Sequence, residues 1–475
     1  MRPKRTLPDR KTLEIIVLFQ NLGDDHPYYA QSPAPPLPGI LLAALTPDIV
    51  NVRVLHEMVR PIDYGTDAEF IALSFMDYLA PHAYDVAARF RAMGKIVVGG
   101  GKFASTFPDE VSPHFDAILV GEAQGVWPSM VHDMVNGKLK RRYEAPAIPS
   151  LEHLPPPRYD LVESKYVTPV VTEATRGCPH SCTYCQLNIR RLPFRMRPIE
   201  DVIRDLRATQ ALPWYKRKMA MLLDNNLGGD LAYAKALLRE IARLKFWGVG
   251  VQFSIECLRD EDFIDALADA RCRMAFIGME SLQPESLASV RKPQNRVEEY
   301  RGFFDKLHGR GILTFTGLMF ALEEDTVEYY RQLPAMLEDV GTSVILPSIA
   351  IPLYGTPLYQ STASEGRITD EDLSHYEGDH IVFKHKGLSD EEIVSAYANV
   401  TLAFYSWRNI VKRLARILVR QERRETRREF VLRLLVVTFV YIKLSVFQRH
   451  HARVKIKEIT LQSNLTQPQV QPIAA

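Results

Sequence analysis

The 475-residue chain is poor in cysteine, with five, and none of them precedes Cys178. That scarcity excludes a disulfide-framed secreted scaffold, which uses cysteine densely and in even numbers, and it fits a reducing, cytoplasmic compartment. Long apolar runs are also lacking. Ile15–Phe19 follows a basic start, Met1-Arg-Pro-Lys-Arg-Thr, but is too short for a signal peptide and reads as a buried strand. The longest apolar stretch, Phe430–Phe447, is interrupted by Arg433 and Lys443, which argues against a membrane span. A large overall charge is missing as well, the net being +2. That balance conceals an asymmetry: residues 408–457 carry 15 Lys/Arg against 3 Asp/Glu, whereas residues 1–407 carry 44 against 53. An acidic body and a basic tail are suited to different partners. With 46% apolar and 24% charged residues, the chain has the composition of a globular protein of two or three domains.

What is present is concentrated. Three of the five cysteines fall in Thr175-Arg-Gly-Cys178-Pro-His-Ser-Cys182-Thr-Tyr-Cys185-Gln186, spaced C-x3-C-x2-C. Three thiolates can hold three irons of a cubane cluster and leave the fourth open to a small molecule. A structural zinc would need a fourth ligand, for which His180 is the local candidate, although it sits inside the cysteine loop. Cys272 precedes a predicted strand and reads as a small buried residue, and Cys257 falls at a strand end.

The flanking sequence alternates short apolar runs with helical spacing, the pattern of parallel α/β sheets. In residues 10–145 strands are predicted at Leu13–Phe19, Val52–Glu57, Phe70–Phe75, Lys95–Gly99 and Ala117–Val120. In residues 168–375 they are predicted at Thr168–Ala174, Met219–Leu223, Val249–Ile255, Arg273–Met279, Leu313–Met319 and Val344–Ala350. Residues 146–167, with Pro146, Pro149 and Pro155–Pro157, form a stiff linker. Ser389-Asp-Glu-Glu392 caps a helical extension over 388–458, and 459–475 is polar, Pro/Gln-containing and expected to be disordered. Ligands on parallel sheets lie beyond the carboxyl ends of the strands. Those ends supply Ser74, Gly99–Gly100–Gly101 and Glu122 in the first unit, and Asp224, Asn225, Glu256, Glu280, Ser281 and Gly317 in the second. The glycines also suit a tight strand-to-helix turn, and a lone carboxylate at a strand end also suits a helix N-cap.

The cysteine triplet, with Tyr184 just before its last member, resembles the signature of the radical S-adenosylmethionine (SAM) enzymes. Gly278-Met-Glu-Ser281 resembles the Gly-x-Glu-Ser pattern of that family, and Ile351-Pro-Leu-Tyr-Gly-Thr-Pro-Leu-Tyr359 its Pro-Gly-Thr-Pro-Leu loop, with Tyr354 where proline is usual. Leu322-Glu-Glu-Asp-Thr326 departs from the family's Gly-x-Pro-Gly-Glu-Thr turn, lacking both glycines and the proline. Ile96-Val-Val-Gly-Gly-Gly101, Ser105–Glu110 and Asp116–Glu122 resemble the cobalamin-binding domain that precedes many radical SAM domains. No Asp-x-His-x-x-Gly motif follows the first strand, since Asp24-Asp-His-Pro27 does not fit it. Many relatives also lack that motif; an emptied domain that only scaffolds the barrel is the alternative.

The resemblance implies an α/β architecture: a Rossmann-like cobalamin-binding domain, a six-stranded partial TIM barrel, and a helical C-terminal piece. That piece resembles one seen in the subgroup around the anaerobic Mg-protoporphyrin ester cyclase and hopanoid radical SAM proteins. It implies a 4Fe-4S cluster on Cys178, Cys182 and Cys185, SAM on the fourth iron, and cobalamin at Ser74, Gly99–Gly101 and Glu122. Tyr184, Asp224, Asn225, Glu256, Glu280, Ser281 and Gly317 would face SAM, and Arg197, from an Arg-x-Arg segment with Arg195, would pair with its carboxylate. The implied activity is transfer of a methyl group to an unactivated carbon of a small lipid or tetrapyrrole through a 5′-deoxyadenosyl radical, with electrons from a flavodoxin or ferredoxin. The alternatives are an oxidase or cyclase that uses cobalamin without methyl transfer, and a non-catalytic scaffold. A methylthiotransferase needs a second, N-terminal cysteine set that is absent here, and the continuous apolar face of the tail disfavours a nucleic-acid arm. Phe430–Phe447, flanked by Arg423-Arg424, Arg427-Arg428 and Arg449, reads either as a helix on the inner membrane face with Arg433 and Lys443 snorkelling, or as one packed on the barrel or a second subunit.

Overall fold

The structure, a computed structural model, describes residues 10–19, 34–145, 148–163, 165–166, 168, 170–190, 192–208, 219–419 and 426–466. The Asp24–Pro27 segment, Pro146 and the Arg423-Arg424 pair lie outside these residues.

The first sheet is parallel, in the order β2-β1-β3-β4-β5-β6, with β1 (Thr12–Val17), β2 (Asn51–His56), β3 (Phe70–Phe75), β4 (Ile96–Gly101), β5 (Ala117–Val120) and β6 (Arg142–Glu144). Its inner strands are apolar on both faces because helices cover both, so Leu13, Ile15 and Ile16 are buried together with Phe70–Leu73. β2 is an edge strand in which only Leu55 is buried. β6 adds a strand that its charged tripeptide does not announce; only Tyr143 of it is buried.

The second sheet contains β7 (Val170–Thr172), followed by a short antiparallel ribbon of β8 (Thr175–Arg176) and β9 (Arg195–Met196). Then come β10 (Met219–Leu222), β11 (Gly248–Phe253), β12 (Cys272–Glu280), β13 (Leu313–Phe320) and β14 (Val344–Ile349). Its order, β14-β13-β12-β11-β10-β7, is parallel throughout and forms the six-stranded partial barrel. Intervening helices start where short polar side chains accept from free N–H groups. Asp230 accepts from Tyr233 N at 2.8 Å, Asp260 from Phe263 N at 2.9 Å and Thr326 from Tyr329 N at 3.1 Å. One continuous core, from Val170 through Phe253, Ile277 and Leu318 to Tyr397 and Phe404, unites the sheet, these helices and the C-terminal helix Asp390–Phe404. That helix opens with the Ser389–Glu392 capping box expected from the sequence.

The last helix spans Arg427–Thr466, so the segment expected to be disordered from 459 continues as helix to Thr466; residues 467–475 lie outside the described residues. One face of it, with Val437, Tyr441, Ser445 and Ala452, is buried, and Ser445 Oγ donates to Tyr405 O at 3.1 Å. Arg433 belongs to this inner face at 5% exposure, which corrects its expected snorkelling: it is turned into the protein, with its guanidinium 5.4 Å from the Phe430 ring. On the opposite face Val431, Leu435, Phe439, Ile442 and Val446 are exposed, and Lys443 lies 5.1 Å over the Phe439 ring. Among the described residues no helix is long and apolar enough to cross a membrane.

Candidate active site at the strand ends

The cysteine loop leaves β7 and is closed at its base by the β8–β9 ribbon. Gly177 makes the exit, with φ +91° and Pro193 O only 2.7 Å from where a Cβ would lie. Asp224, at the end of β10, anchors the base. Its Oδ1 accepts from Ala174 N at 3.0 Å, from Thr175 N, and from Thr175 Oγ1 at 2.7 Å. Complete burial raises its pKa to about 6 despite those bonds. Asp224 therefore holds the loop and does not face a ligand, contrary to the sequence expectation. Arg197 is corrected likewise. It is 1% exposed, its Nη2 donates to Asp205 Oδ2 at 2.7 Å, and its Nη1 to Glu173 O at 2.8 Å. A guanidinium committed to a buried carboxylate behind the sheet has no reach to the carboxylate of SAM.

The loop itself is tied to the barrel mouth on both sides. Thr183 N donates to Val290 O at 3.1 Å, Leu358 N to Thr183 O at 3.0 Å, and Asn188 Nδ2 to Cys182 O at 2.7 Å. None of the three cysteines is in a disulfide. Asn226 Nδ2 lies 3.7 Å from Cys178 Sγ and 2.8 Å from Ser254 Oγ, and Asn226 Oδ1 accepts from Ser254 N at 3.1 Å. His180 Nε2 meets Glu256 Oε1 at 2.7 Å and Ser254 Oγ at 3.1 Å. Burial alone would raise the Glu256 pKa, but the His180 and Ser254 bonds outweigh it and hold it below the usual carboxylate range. His180 is thereby engaged away from the cysteines. Among the described residues no three His, Cys, Asp or Glu side chains come together around one ion. A cubane suits the triplet better, since each thiolate binds a different iron.

Across the mouth stands a second polar group. Tyr184 Oη donates to Glu280 Oε1 at 3.1 Å, and Lys292 Nζ lies 2.6 Å from the same oxygen and 3.3 Å from Tyr184 Oη. Glu280 sits at φ +64°, an unusual conformation for a side-chain-bearing residue, at the end of β12. The space it occupies is made by two glycines in register. A Cβ on Gly278 would lie 2.5 Å from Glu280 Oε1 and 2.6 Å from Lys292 Nζ, and one on Gly317 would lie 2.9 Å from Glu280 Oε2. Gly317 thus admits the Glu280 carboxylate, where the sequence expectation had it facing SAM. Ser281 is fully buried, bonded to Tyr329 Oη at 3.0 Å and accepting from Gln283 N at 3.1 Å, so it braces the turn ahead of the following helix instead of facing the mouth. Asn225 points to solvent, and its carbonyl accepts from Gln252 Nε2 at 3.3 Å. Cys257 is core: its Sγ lies against Gly228, and burial pushes the thiol up to about 12.

In the first unit the three glycines differ. A Cβ on Gly99 would press the Phe115 ring at 3.0 Å, and one on Gly101, at φ +119°, would strike Phe75 O at 2.3 Å. Both are required by the sheet. Only Gly100, with its nearest neighbour at 3.8 Å, leaves room on its own account. Ser74 is half-buried beside it, and its carbonyl accepts from Leu18 N at 3.1 Å. Glu122 is turned out of this cleft: it pairs with Arg176 Nη1 at 2.8 Å and with Arg195, fastening the first sheet to the cysteine ribbon. Gln186 and Asp77, at the end of β3, make a second such fastening.

Sequence reasoning thus missed Lys292, Gln186 and Asp77 as site residues. The run Asp224-Asn225-Asn226 was read together as polar groups for SAM, and strand phase was the signal that could have singled out Asn226. Lys292, in a turn, had no such signal.

Residues 172–337 match the Radical SAM superfamily. The chain is 26% identical over 389 residues to the bacteriochlorophyllide d C-12(1)-methyltransferase of Chlorobaculum tepidum, covering 80% of this chain and 84% of that protein. It is 27% identical over 399 residues to the bacteriochlorophyllide d C-8(2)-methyltransferase of the same organism, covering 78% and 86%. Among solved structures, the radical SAM methyltransferase TsrM of Kitasatospora setae, with cobalamin and a [4Fe-4S] cluster bound, shares the fold at a TM-score of 0.59 and 16% identity, over 84% of this chain and 89% of that one. With its three-cysteine loop at the carboxyl end of the first barrel strand and this domain match around it, the chain carries a radical SAM domain over residues 172–337.

Proposed function

We propose that this enzyme is a cobalamin-dependent C-methyltransferase acting on a tetrapyrrole-type substrate. The observation that carries the reading is the junction of two sets of strand ends: Gln186, next to Cys185, meets Asp77 beyond β3. A flat corrin seated beyond Ser74 and Gly100 would then face the cluster loop, which is the placement the reaction needs. The likeness to two bacteriochlorophyllide methyltransferases supports both the transfer and the substrate class.

Bound there, the cluster and SAM supply a hydrogen-abstracting radical, and cobalamin supplies a transferable methyl group. The work of the chain is placement. Cys178, Cys182 and Cys185 would hold the cluster, with Asn226 polarising the Cys178 sulfur. Lys292 is the cation available to an anionic group of SAM, and Glu280 and Tyr184 fix the position of its ammonium. His180, Ser254 and Glu256 offer acceptors and donors on the other side of the mouth. Exclusion of water and oxygen falls to the junction, where the Glu122 and Asp77 contacts close the two units on each other.

Low-potential electrons would come from a flavodoxin or ferredoxin. The exposed apolar stripe of the helix Arg427–Thr466, flanked by Lys443 and Arg449, would rest on an anionic membrane surface, where hydrophobic substrates reside. Anaerobic turnover with SAM, cobalamin and a chlorin substrate tests the function. The product should gain ~14 Da per transfer, from methyl replacing hydrogen. Oxidation or ring closure without that gain would mark a different reaction, and no 5′-deoxyadenosine would mark a scaffold.

A further inference from the structure

Beyond the barrel the chain makes an excursion closed by the antiparallel bridge between Ile368 and Phe383. Thr369 N and Asp370 N both donate to Val382 O, at 3.0 and 3.3 Å. The tip of the excursion, the 3-10 turn Leu373–His375, packs on the turn Asp77–Leu79 and on the helix Ala80–Ala92 of the first unit. Its return limb is fixed to the barrel, where Ile349 N donates to Gly378 O at 2.7 Å. The excursion therefore crosses the seam between the two sets of strand ends, one turn away from the Asp77–Gln186 contact.

Two histidines stand on it. The rings of His375 and His380 stack with centroids 4.5 Å apart and planes at 27°. Each has its Nδ1 on a carboxylate: His375 on Asp370 Oδ2 at 2.6 Å, His380 on Glu377. Glu377 is largely buried at 11% side-chain exposure, whereas the His380 side chain is 43% exposed. An imidazole whose Nδ1–H is held by a buried carboxylate has its tautomer fixed, and its free lone pair lies on Nε2. That is the preparation of a metal ligand.

A resident ion does not account for it, because among the described residues no group of three ligating side chains assembles around one ion. A metal already chelated by the four nitrogens of a macrocycle, by contrast, requires one axial donor. We propose that His380 Nε2 is the axial ligand for the central metal of a metallotetrapyrrole substrate, with His375 stacked beside it to hold the ring plane. The inference rests on the tetrapyrrole reading above. In the binding step the Nε2 lone pair forms the bond to the metal and an axial water leaves, without change of oxidation state. His380 is the better donor of the two because its Nδ1 is held by the more buried carboxylate, Glu377 at 11% side-chain exposure against 32% for Asp370. Ligation at the centre of the macrocycle anchors the ring and leaves its periphery, where methyl groups are added, free to face the reacting centre.

The test is absorbance titration of the full-length protein with zinc protoporphyrin IX and with metal-free protoporphyrin IX. Wild type should bind the zinc porphyrin about tenfold more tightly than the metal-free one, with a red-shifted Soret band. His380→Ala should abolish the shift and equalise the two affinities, and Glu377→Gln should weaken zinc-porphyrin binding about tenfold. His375→Ala should keep the shift, and circular dichroism checks that each variant is folded. An unshifted wild-type spectrum, equal wild-type affinities, or a shift that survives His380→Ala overturns the axial assignment alone. Failure to bind either porphyrin overturns the tetrapyrrole reading and the assignment with it.

Discussion

Gln186, the residue after the last cluster cysteine, donates its side-chain amide to the carboxylate of Asp77 at the end of β3. One hydrogen bond thus joins the cysteine loop to the strand ends of the other sheet. Asp77 is 3% exposed, and its second oxygen, Oδ1, has no partner among the described residues. The contact is a positioning device whose failure should uncouple two half-reactions. Gln186→Ala should leave cluster absorbance and SAM cleavage near wild type while methylated product per 5′-deoxyadenosine falls by up to about 100-fold, the scale of a displacement of about 1 Å. A product ratio unchanged by the substitution would show that the contact does not set the alignment.

The Glu122 clasp makes a stability statement. Burial raises the Glu122 pKa, but the hydrogen bond from Arg195 and the charge of Arg176 outweigh it, so the carboxylate titrates below its ordinary range. A carboxylate depressed in the folded state stabilises above its unfolded pKa and loses that contribution as pH falls through the folded value. Glu122→Gln should therefore lower the urea midpoint near pH 7, by about 2 kcal/mol in stability, and have little effect near pH 3. A midpoint difference that persists unchanged at low pH would contradict the clasp.

Asp224 has the opposite sign. Its folded pKa, raised to about 6 by burial, means that its contribution is fully present below the unfolded carboxylate value and is lost as pH rises through about 6. Asp224→Asn keeps an acceptor for the Ala174 and Thr175 amides without the buried charge. It should be less destabilising than Asp224→Ala, by about 2 kcal/mol, and should flatten the pH dependence of stability between pH 4 and 6. Equal losses in the two variants would rule out the anchoring role.

Arg197 and Lys292 separate a structural cation from a ligand-facing one. Arg197→Ala leaves the buried Asp205 with only Arg204 and Thr172 as partners and should cost about 3 kcal/mol of stability, with the SAM affinity of the surviving folded protein unchanged. Lys292→Met removes the cation beside Glu280 and Tyr184. It should preserve the cluster spectrum but weaken SAM binding by about 2 kcal/mol, read by calorimetry. Weakened SAM binding in Arg197→Ala with an intact fold would restore the role first expected of it.

The architecture was legible because its signals are local and redundant: apolar runs such as Phe70–Phe75, caps such as Ser389, and the cysteine spacing each stand in the sequence on their own terms. The site was legible only as to which strand ends contribute. Which side chain at a strand end faces the mouth depends on strand phase and on what lies behind it. Asp224 and Ser281 turned inward because a loop amide and a turn amide required acceptors, and Arg197 because Asp205 lay behind the sheet. Lys292 and Asp77 enter the site through turns with no periodicity, so no pattern could assign them. Arg433 was open for a related reason: an interrupted apolar helix reads either as snorkelling on a membrane or as packed on the barrel, and only the structure puts this side chain, 5% exposed, on the inner face.

The account stands on a cubane cluster held by Cys178, Cys182 and Cys185 with one iron left to SAM, and anaerobic reconstitution of wild type beside Cys182→Ala tests it most directly. Wild type should take up about four irons per chain, absorb near the visible range as a cluster protein, and release 5′-deoxyadenosine from SAM. Cys182→Ala should lose cluster absorbance and cleavage together; a variant that keeps either, or a wild type that takes up no iron, would contradict the account.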